Sequence, residues 1–227
     1  MHLAQRLVTL ASHFHTGELT LQRVRARRRG DSFRDAGTTY IHVPRTGGTS
    51  IASAIFGRFI GHFSLADLLA VSGPRVLALP RFTIVRNPWD RLISAWTFAS
   101  QGRGDAGDIS IKVNPRVRKE IQRFHSFEAF VEEWLFVQDT ATRDGIFRPQ
   151  HGYIVDGAGR MRFDHVGRME SMAMTQDWLS DTLKRHVVFG HVNRSARRDY
   201  RGYYTPRLRD LVAAAYERDI ALLNYDF

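Results

Sequence analysis

The sequence predicts an α/β fold: a central, mainly parallel sheet flanked by helices, three layers in all. Three observations predict it. The 227 residues suffice for one such domain with a substantial core. From Thr38 onward, short β-prone runs alternate with longer stretches of helical period, the pattern of strands joined by helical crossovers. The run Arg81–Val85 is mostly apolar and uninterrupted, as expected of a strand buried on both faces.

Residues 1–37 read as an appended helix and basic linker, and residues 38–227 as a single domain. Thr39–Val43 is a short strand, and Ser50–Phe59 is the helix that follows. Ser64 precedes Leu65, Leu68 and Leu69, which predicts an N-cap and a helix ending near Gly73. After the strand Arg81–Val85, Pro88 opens a helix through about Ser100, with proline in the first turn as helices prefer. Gln101–Asp108 is rich in glycine and charge and is expected to be a mobile loop. Phe127, Phe130, Val131, Trp134 and Leu135 form a helical stripe after Ser126. Tyr153–Val155 and Met161–Phe163 flank Asp156-Gly157-Ala158-Gly159, a hairpin signal. Phe163–Val166 reads as strand, Glu170–Arg185 as helix and residues 186–204 as an arginine- and tyrosine-rich loop. Pro206 opens a last helix through about Leu223.

Composition narrows the chemistry. Hydrophobic residues make up 43% and charged residues 25%, ordinary for a globular protein. The absence of cysteine excludes disulfides and thiolate metal sites. The formal net charge is +10, which favours an anionic partner. Thirty arginines stand against three lysines, and arginine suits bidentate contact with phosphate or sulfate. No apolar run approaches the ~20 residues that span a bilayer. Met1–Leu10 is amphipathic but lacks a signal peptide's apolar core and cleavage site. A soluble, cytoplasmic protein is the expectation. The cluster Arg23, Arg25, Arg27, Arg28 and Arg29 is either a solvated arm or a contact with a membrane surface or polyanion. His13 and His15 sit in the same arm, away from the motifs.

Two segments carry the chemistry. In Pro44-Arg45-Thr46-Gly47-Gly48-Thr49-Ser50 a strand-like run meets a proline, a cation, two glycines and hydroxyl residues, and then a helix. Glycines let backbone close on an oxyanion, hydroxyls donate, and a helix N-terminus adds partial positive charge. The Walker pattern Gly-x-x-x-x-Gly-Lys-Ser/Thr is absent. In Arg86-Asn87-Pro88-Trp89-Asp90-Arg91-Leu92-Ile93-Ser94, a strand ends at Arg86 and Ser94 falls about two turns into the next helix. Arg86 and Ser94 can thus grip one anion, or Arg86 can instead pair with Asp90.

Together the two segments resemble those of sulfotransferases that use 3′-phosphoadenosine 5′-phosphosulfate (PAPS), particularly carbohydrate enzymes of the heparan sulfate 2-O-sulfotransferase type. The resemblance covers roughly residues 38–227, strongly at these two places, and continues loosely through Val166-Gly167-Arg168-Met169-Glu170 and Asn193–Tyr204. It implies a P-loop-like α/β fold, with PAPS as sulfate donor and a hydroxyl-bearing acceptor, by family likeness a glycan. It implies that Arg45, Thr46, Gly47, Gly48, Thr49 and Ser50 bind the 5′-phosphosulfate, and that Arg86 and Ser94 bind the 3′-phosphate. Arg45 stands where the family usually has lysine; arginine stabilises charge but stays protonated and is no acid. His62, in Gly61-His62-Phe63-Ser64, resembles the Gly-His-x-Ser segment that carries a catalytic histidine in 2-O-sulfotransferases. An imidazole suits proton acceptance near neutrality.

His151 is a second candidate base or an acceptor contact. Arg168 and Glu170 are candidate acceptor-binding residues, and each has a bland alternative: Arg168 pairs with Glu170, and Glu170 caps a helix. Arg201 and Gly202, in a loop with Tyr203 and Tyr204, resemble loosely the family's C-terminal cofactor-closing loop. No cluster has metal-ligand spacing, and a sulfotransferase needs no metal. Two other readings stay open: a P-loop nucleotide kinase or phosphotransferase, and a non-catalytic polyanion binder. No helix-turn-helix, zinc-finger or RNA-binding signature supports a nucleic-acid partner.

Overall fold

The computed structural model describes residues 20–101, 103–106, 109–112, 115–135, 145–190 and 199–227. Met1–Leu10, His13, His15, Arg194, Arg197 and Arg198 lie outside the described residues. Three parallel strands form the central sheet in the order β1 (Thr39–Ile41), β2 (Arg81–Val85), β5 (His165–Arg168). Tyr40 pairs with Phe82 and Thr83 with Val166, so β2 is the middle strand. All five β2 residues are buried, which explains the uninterrupted pattern of that run.

Helices flank this sheet. The basic segment is helical: α1 runs over 20–27, and α2 spans Gly30–Ala36. Gln22, Ala26 and Phe33 turn inward and are buried. Phe33 meets the rings of Phe56 and Phe63 edge-on at 5.6 and 6.2 Å. Burying a ring of that size contributes about 1.5–3 kcal/mol, enough to seat α2 on the domain. α3 (Gly48–Phe56) follows β1, and α4 (Leu65–Val71) follows it. At the start of α4, Ser64 accepts from the Asp67 backbone while Asp67 accepts from the Ser64 backbone, the reciprocal capping that the sequence signalled in part. After α5 (Pro74–Leu77) and β2 comes α6 (Pro88–Gln101), close to its expected span.

The segment expected as a loop over Gln101–Asp108 contains a strand instead. β3 (Arg103–Ala106) pairs antiparallel with β4 (Ile109–Lys112). Alternation in Ile109-Ser110-Ile111-Lys112 supplies the strand signal that the glycines obscured. After α7 (Pro115–Ile121), the stripe behind Ser126 is helical: α8 (Phe127–Ala129) runs into a π-helical segment, Phe130–Leu135. These rings join Trp89, Leu92, Phe147, Leu208 and Val212 in a second apolar cluster, separate from the one around the sheet.

The predicted hairpin over 153–163 is also corrected. Tyr153 and Ile154 belong to α9 (His151–Ile154), and Met161–Phe163 forms no strand. Tyr153 and Ile154 are both buried, although they are neighbours, which a half-buried strand would not allow. Asp156 closes the intervening turn by accepting from the backbones of Ala158 and Arg160, and it accepts from the Arg162 side chain. β5 is shifted two residues toward the C-terminus from Phe163–Val166. Its Gly167 permits close approach to α10 (Met172–Leu183), since a Cβ there would stand 2.2 Å from Thr175 Oγ1. The helix expected from Glu170 begins as a 3-10 turn, Met169–Ser171. A second 3-10 turn, Tyr200–Tyr203, precedes α11 (Pro206–Ala215) and α12 (Glu217–Leu223). Among the described residues, no helix is long and apolar enough to cross a membrane.

Candidate functional site

The loop after β1 turns sharply. Arg45 and Gly47 both adopt left-handed backbone, with φ of 71° and 73°. For arginine this conformation costs on the order of 1–3 kcal/mol, a strain that functional loops commonly hold. Thr46 is buried, and its hydroxyl donates to the Val43 carbonyl at 2.8 Å, so this side chain shapes the loop from within. Gly47 is the N-cap of α3 and supplies no side-chain cap. The first turn of α3, with Gly48 and the half-buried Thr49 and Ser50, therefore meets the loop with backbone donors and no capping oxygen.

The strand–helix junction at β2–α6 closes on this loop. Arg45 donates from Nε and Nη2 to Ser94 Oγ at 3.2 and 3.0 Å, across 49 residues of sequence. Its guanidinium also lies 4.4 Å from the centre of the Phe98 ring. Arg86 is buried; it pairs with Asp90 through Nε and Nη2 at 2.8 and 2.7 Å, and Nη1 donates to the Arg45 carbonyl at 3.2 Å. The local pairing weighed for Arg86 is thus present, and the same side chain also touches the loop. Arg45, Arg86 and Ser94 form one basic, hydroxyl-bearing group, with the donor chemistry that a phosphate or sulfate requires.

Supporting residues escaped the sequence reading. Arg91 is 2% exposed, and its Nε donates to the Pro44 carbonyl at 2.9 Å, tying α6 beneath the loop. Gln150 holds Arg86 by both backbone groups: Oε1 accepts from its N–H at 3.0 Å, and Nε2 donates to its carbonyl at 2.8 Å. Asp219, fully buried on α12, accepts from the backbones of Gln150 and His151 at 2.6 and 2.8 Å. Arg91 lay within a quoted motif, whereas Gln150 and Asp219 gave no local signal, because their partners are more than 60 residues away.

His62 sits between α3 and α4, with Nδ1 2.9 Å from the His42 carbonyl. A carbonyl only accepts, so this contact assigns the proton to Nδ1 and leaves Nε2 with its lone pair. The ring packs 4.3 Å from His42 and 5.4 Å from Phe59. Burial lowers its pKa to about 4; the carbonyl contact raises it, and the charges of Arg25 and Arg91 lower it further. Burial likewise holds His42 well below the ordinary imidazole range. Both rings are therefore neutral at pH 7. The unfolded chain takes up these protons near pH 6.5 and the folded chain does so later, so both residues cost stability as pH falls below about 6.5.

The remaining candidates hold the site's periphery. His151 Nδ1 is 2.8 Å from Asp219 Oδ1. Glu170 accepts from the Asn87 backbone at 2.7 Å and from the Tyr225 hydroxyl at 3.0 Å, which anchors β5's end to the start of α6. Arg168 does not pair with Glu170; its Nη2 donates to the Leu223 carbonyl at 2.7 Å at the end of α12, with the guanidinium 4.3 Å from the Tyr225 ring centre. Arg201 and Gly202 are exposed on the 3-10 turn, and Arg201 lies 4.8 Å from the Tyr200 ring centre. The neighbouring Tyr204 donates to the Trp89 carbonyl at 2.9 Å, which fastens this turn to the start of α6. Among the described residues, no group of three or more His, Cys, Asp or Glu is placed to hold a metal ion.

A family model described as the sulfotransferase family matches residues 76–226. No curated protein and no solved structure matches the chain. The matched range includes Arg86, Ser94, His151 and Glu170 and begins after Arg45 and His62.

Proposed function

The chain belongs to the sulfotransferase family, and from that premise we propose that it uses PAPS as donor and sulfates a hydroxyl on a carbohydrate, with His62 as base. The observation that carries this reading is the contact of Arg45 with Ser94, which joins two anion-binding elements 49 residues apart in sequence. The donor has two separated anionic ends, and these elements offer cations and donors for both. The carbohydrate assignment is supported by the likeness of Gly61–Ser64 to the histidine segment of 2-O-sulfotransferases and by the +10 charge.

When bound, PAPS supplies an activated sulfuryl group whose transfer leaves negative charge on its 5′-phosphate. Arg45 and the first-turn amides of α3 are the groups that stabilise charge at the loop. Arg45 contributes charge and hydrogen bonds and never a proton. Arg86 and Ser94 hold the second anionic end, and Gln150 fixes the backbone from which Arg86 extends. His62 Nε2 accepts the acceptor's hydroxyl proton while the His42 carbonyl holds the Nδ1 hydrogen.

Transfer of labelled sulfate from PAPS, measured beside calorimetric binding of adenosine 3′,5′-bisphosphate, tests the proposal. Arg86→Ala is expected to weaken the bisphosphate about 10–100-fold, the worth of one to two hydrogen bonds to a charged group. Mg²⁺-dependent ATP turnover without bisphosphate binding would instead establish the phosphotransferase reading. The role of His62 has its own readout. His62→Ala is expected to lower kcat about 10²–10⁴-fold and spare bisphosphate affinity. Because a lowered pKa keeps the ring neutral down to about 4, the acid limb of wild-type kcat/KM should fall near pH 4. A limb near 6.5 would point to another base.

A further inference from the structure

Helix α1 lies along the segment that carries His62. Arg29, in the turn between α1 and α2, donates from Nε to the Ile60 carbonyl at 2.9 Å. Arg23 Nε stands 3.8 Å from Asp67 Oδ1. These two ties reach either side of His62, and in the helix they flank Arg25. The buried stripe of Gln22, Ala26 and Phe33 holds the same element against the fold. The same frame fixes the helix that carries Arg25, whose charge reaches His62.

The charges along this edge are unbalanced. Arg25, Arg28 and Arg58 are exposed, and among the described residues no carboxylate pairs with any of them. Asp67 already serves Arg23 and the Ser64 cap. The charges of Arg58, Arg28 and Arg25 all act on Arg29, and that of Arg25 reaches His62. Repeated like charges within about 10 Å repel one another modestly in water and attract an anion from the same distance. A neutral hydroxyl compound gains nothing from this field, whereas an acidic one is drawn to the edge where its proton would be removed.

We propose that Arg25 and Arg58 form an anion subsite for the acceptor, holding a carboxylate or sulfate group of an acidic saccharide while its hydroxyl meets His62. This rests on the transferase reading and deepens it: the choice of acceptor is assigned to α1 and the loop after α3, both outside the family-matched residues 76–226. Burial is the main cause of the low His62 pKa, and an anion seated there offsets the smaller share that comes from the Arg25 charge, so acceptor binding makes the ring a somewhat stronger base.

Calorimetric titration of the full chain, saturated with adenosine 3′,5′-bisphosphate, tests the subsite with three probes. They are a uronate-containing tetrasaccharide, its O-sulfated form, and the carboxyl-reduced, unsulfated form. The acidic probes are expected to bind at least tenfold more tightly than the neutral one, and their ranking separates carboxylate from sulfate recognition. Arg25→Gln and Arg58→Gln should each weaken the acidic probes about tenfold, the scale of one charge-assisted hydrogen bond. Bisphosphate affinity should stay unchanged in both, and Arg118→Gln on the exposed side of α7 should change nothing. In wild type, the NMR titration midpoint of His62 should rise when the acidic probe is added. Equal binding of neutral and acidic probes, or wild-type binding by both variants, overturns the subsite. So does loss of binding to phosphatidylserine vesicles with saccharide affinity intact, which would assign these arginines to a membrane surface. If bisphosphate binding and sulfate transfer both fail in wild type, the transferase reading falls, and the saccharide titration without nucleotide still decides the subsite.

Discussion

Arg45→Ala is expected to lower kcat for sulfate transfer by about 10²–10³-fold, the scale of removing one preorganised donor from a developing anion. Three constraints converge on this side chain: the strained φ of 71°, the two hydrogen bonds to Ser94 and the Phe98 ring 4.4 Å away. None of them holds Arg45 to a core position, so folding should survive its truncation. Arg45→Lys separates charge from shape. It keeps the cation but loses the forked contact with Ser94 and the guanidinium's place over the Phe98 ring. A loop whose contacts are built around arginine should recover only part of the rate with lysine. Wild-type kcat in the alanine variant would remove Arg45 from the chemistry and leave it a loop-shaping residue.

The parts of the fold that were legible are those with local causes. β2 was read at its observed bounds because its run is mostly apolar and Pro88 marks the next helix start. α4 was visible through Ser64, whose capping partner lies three residues away. The β3–β4 ribbon was hidden because glycine and charge in 101–108 mimic a loop, while pairing is decided by the other strand. α9 was hidden because the backbone donors at its start are met by Asp219, 68 or 69 residues away.

The site divides in the same way. Arg45, Arg86 and Ser94 could be grouped from two motifs, and the structure brings all three into contact. The partners of Arg168 and Glu170 could not be read, since the Leu223 carbonyl and Tyr225 hydroxyl each lie 55 residues further along the chain. His42 was missed for a different reason. It sits in an apolar strand-like run where a histidine resembles a core residue, and its backbone carbonyl, not its ring, orients His62.

His42 also sets the second large effect. Gly48→Ala is expected to abolish measurable bisphosphate affinity gains from the loop, weakening binding more than tenfold, and to lower Tm by about 2–12 °C. A Cβ at residue 48 would stand 2.0 Å from His42 Cδ2 and 2.7 Å from the Tyr40 hydroxyl. Neither ring can retreat: Tyr40 and His42 are buried, and His42 is packed by Tyr40, Phe59 and His62. The start of α3 must therefore move outward, carrying the amides of Thr49 and Ser50 with it. Overpacking of this kind costs about 1–3 kcal/mol, and each kcal/mol lowers Tm by about 2–4 °C in a chain of this size. Gly57→Ala is the matched control at the other end of the same helix. Its φ of 63° is strained for alanine, but no atom lies within 4 Å of the added Cβ. It should lose stability with unchanged bisphosphate affinity. Equal affinity in Gly48→Ala would mean that the loop does not hold the donor, whatever its stability. A shifted His42 would also move the carbonyl that fixes His62, so Gly48→Ala should depress kcat even at saturating donor, which Gly57→Ala should not.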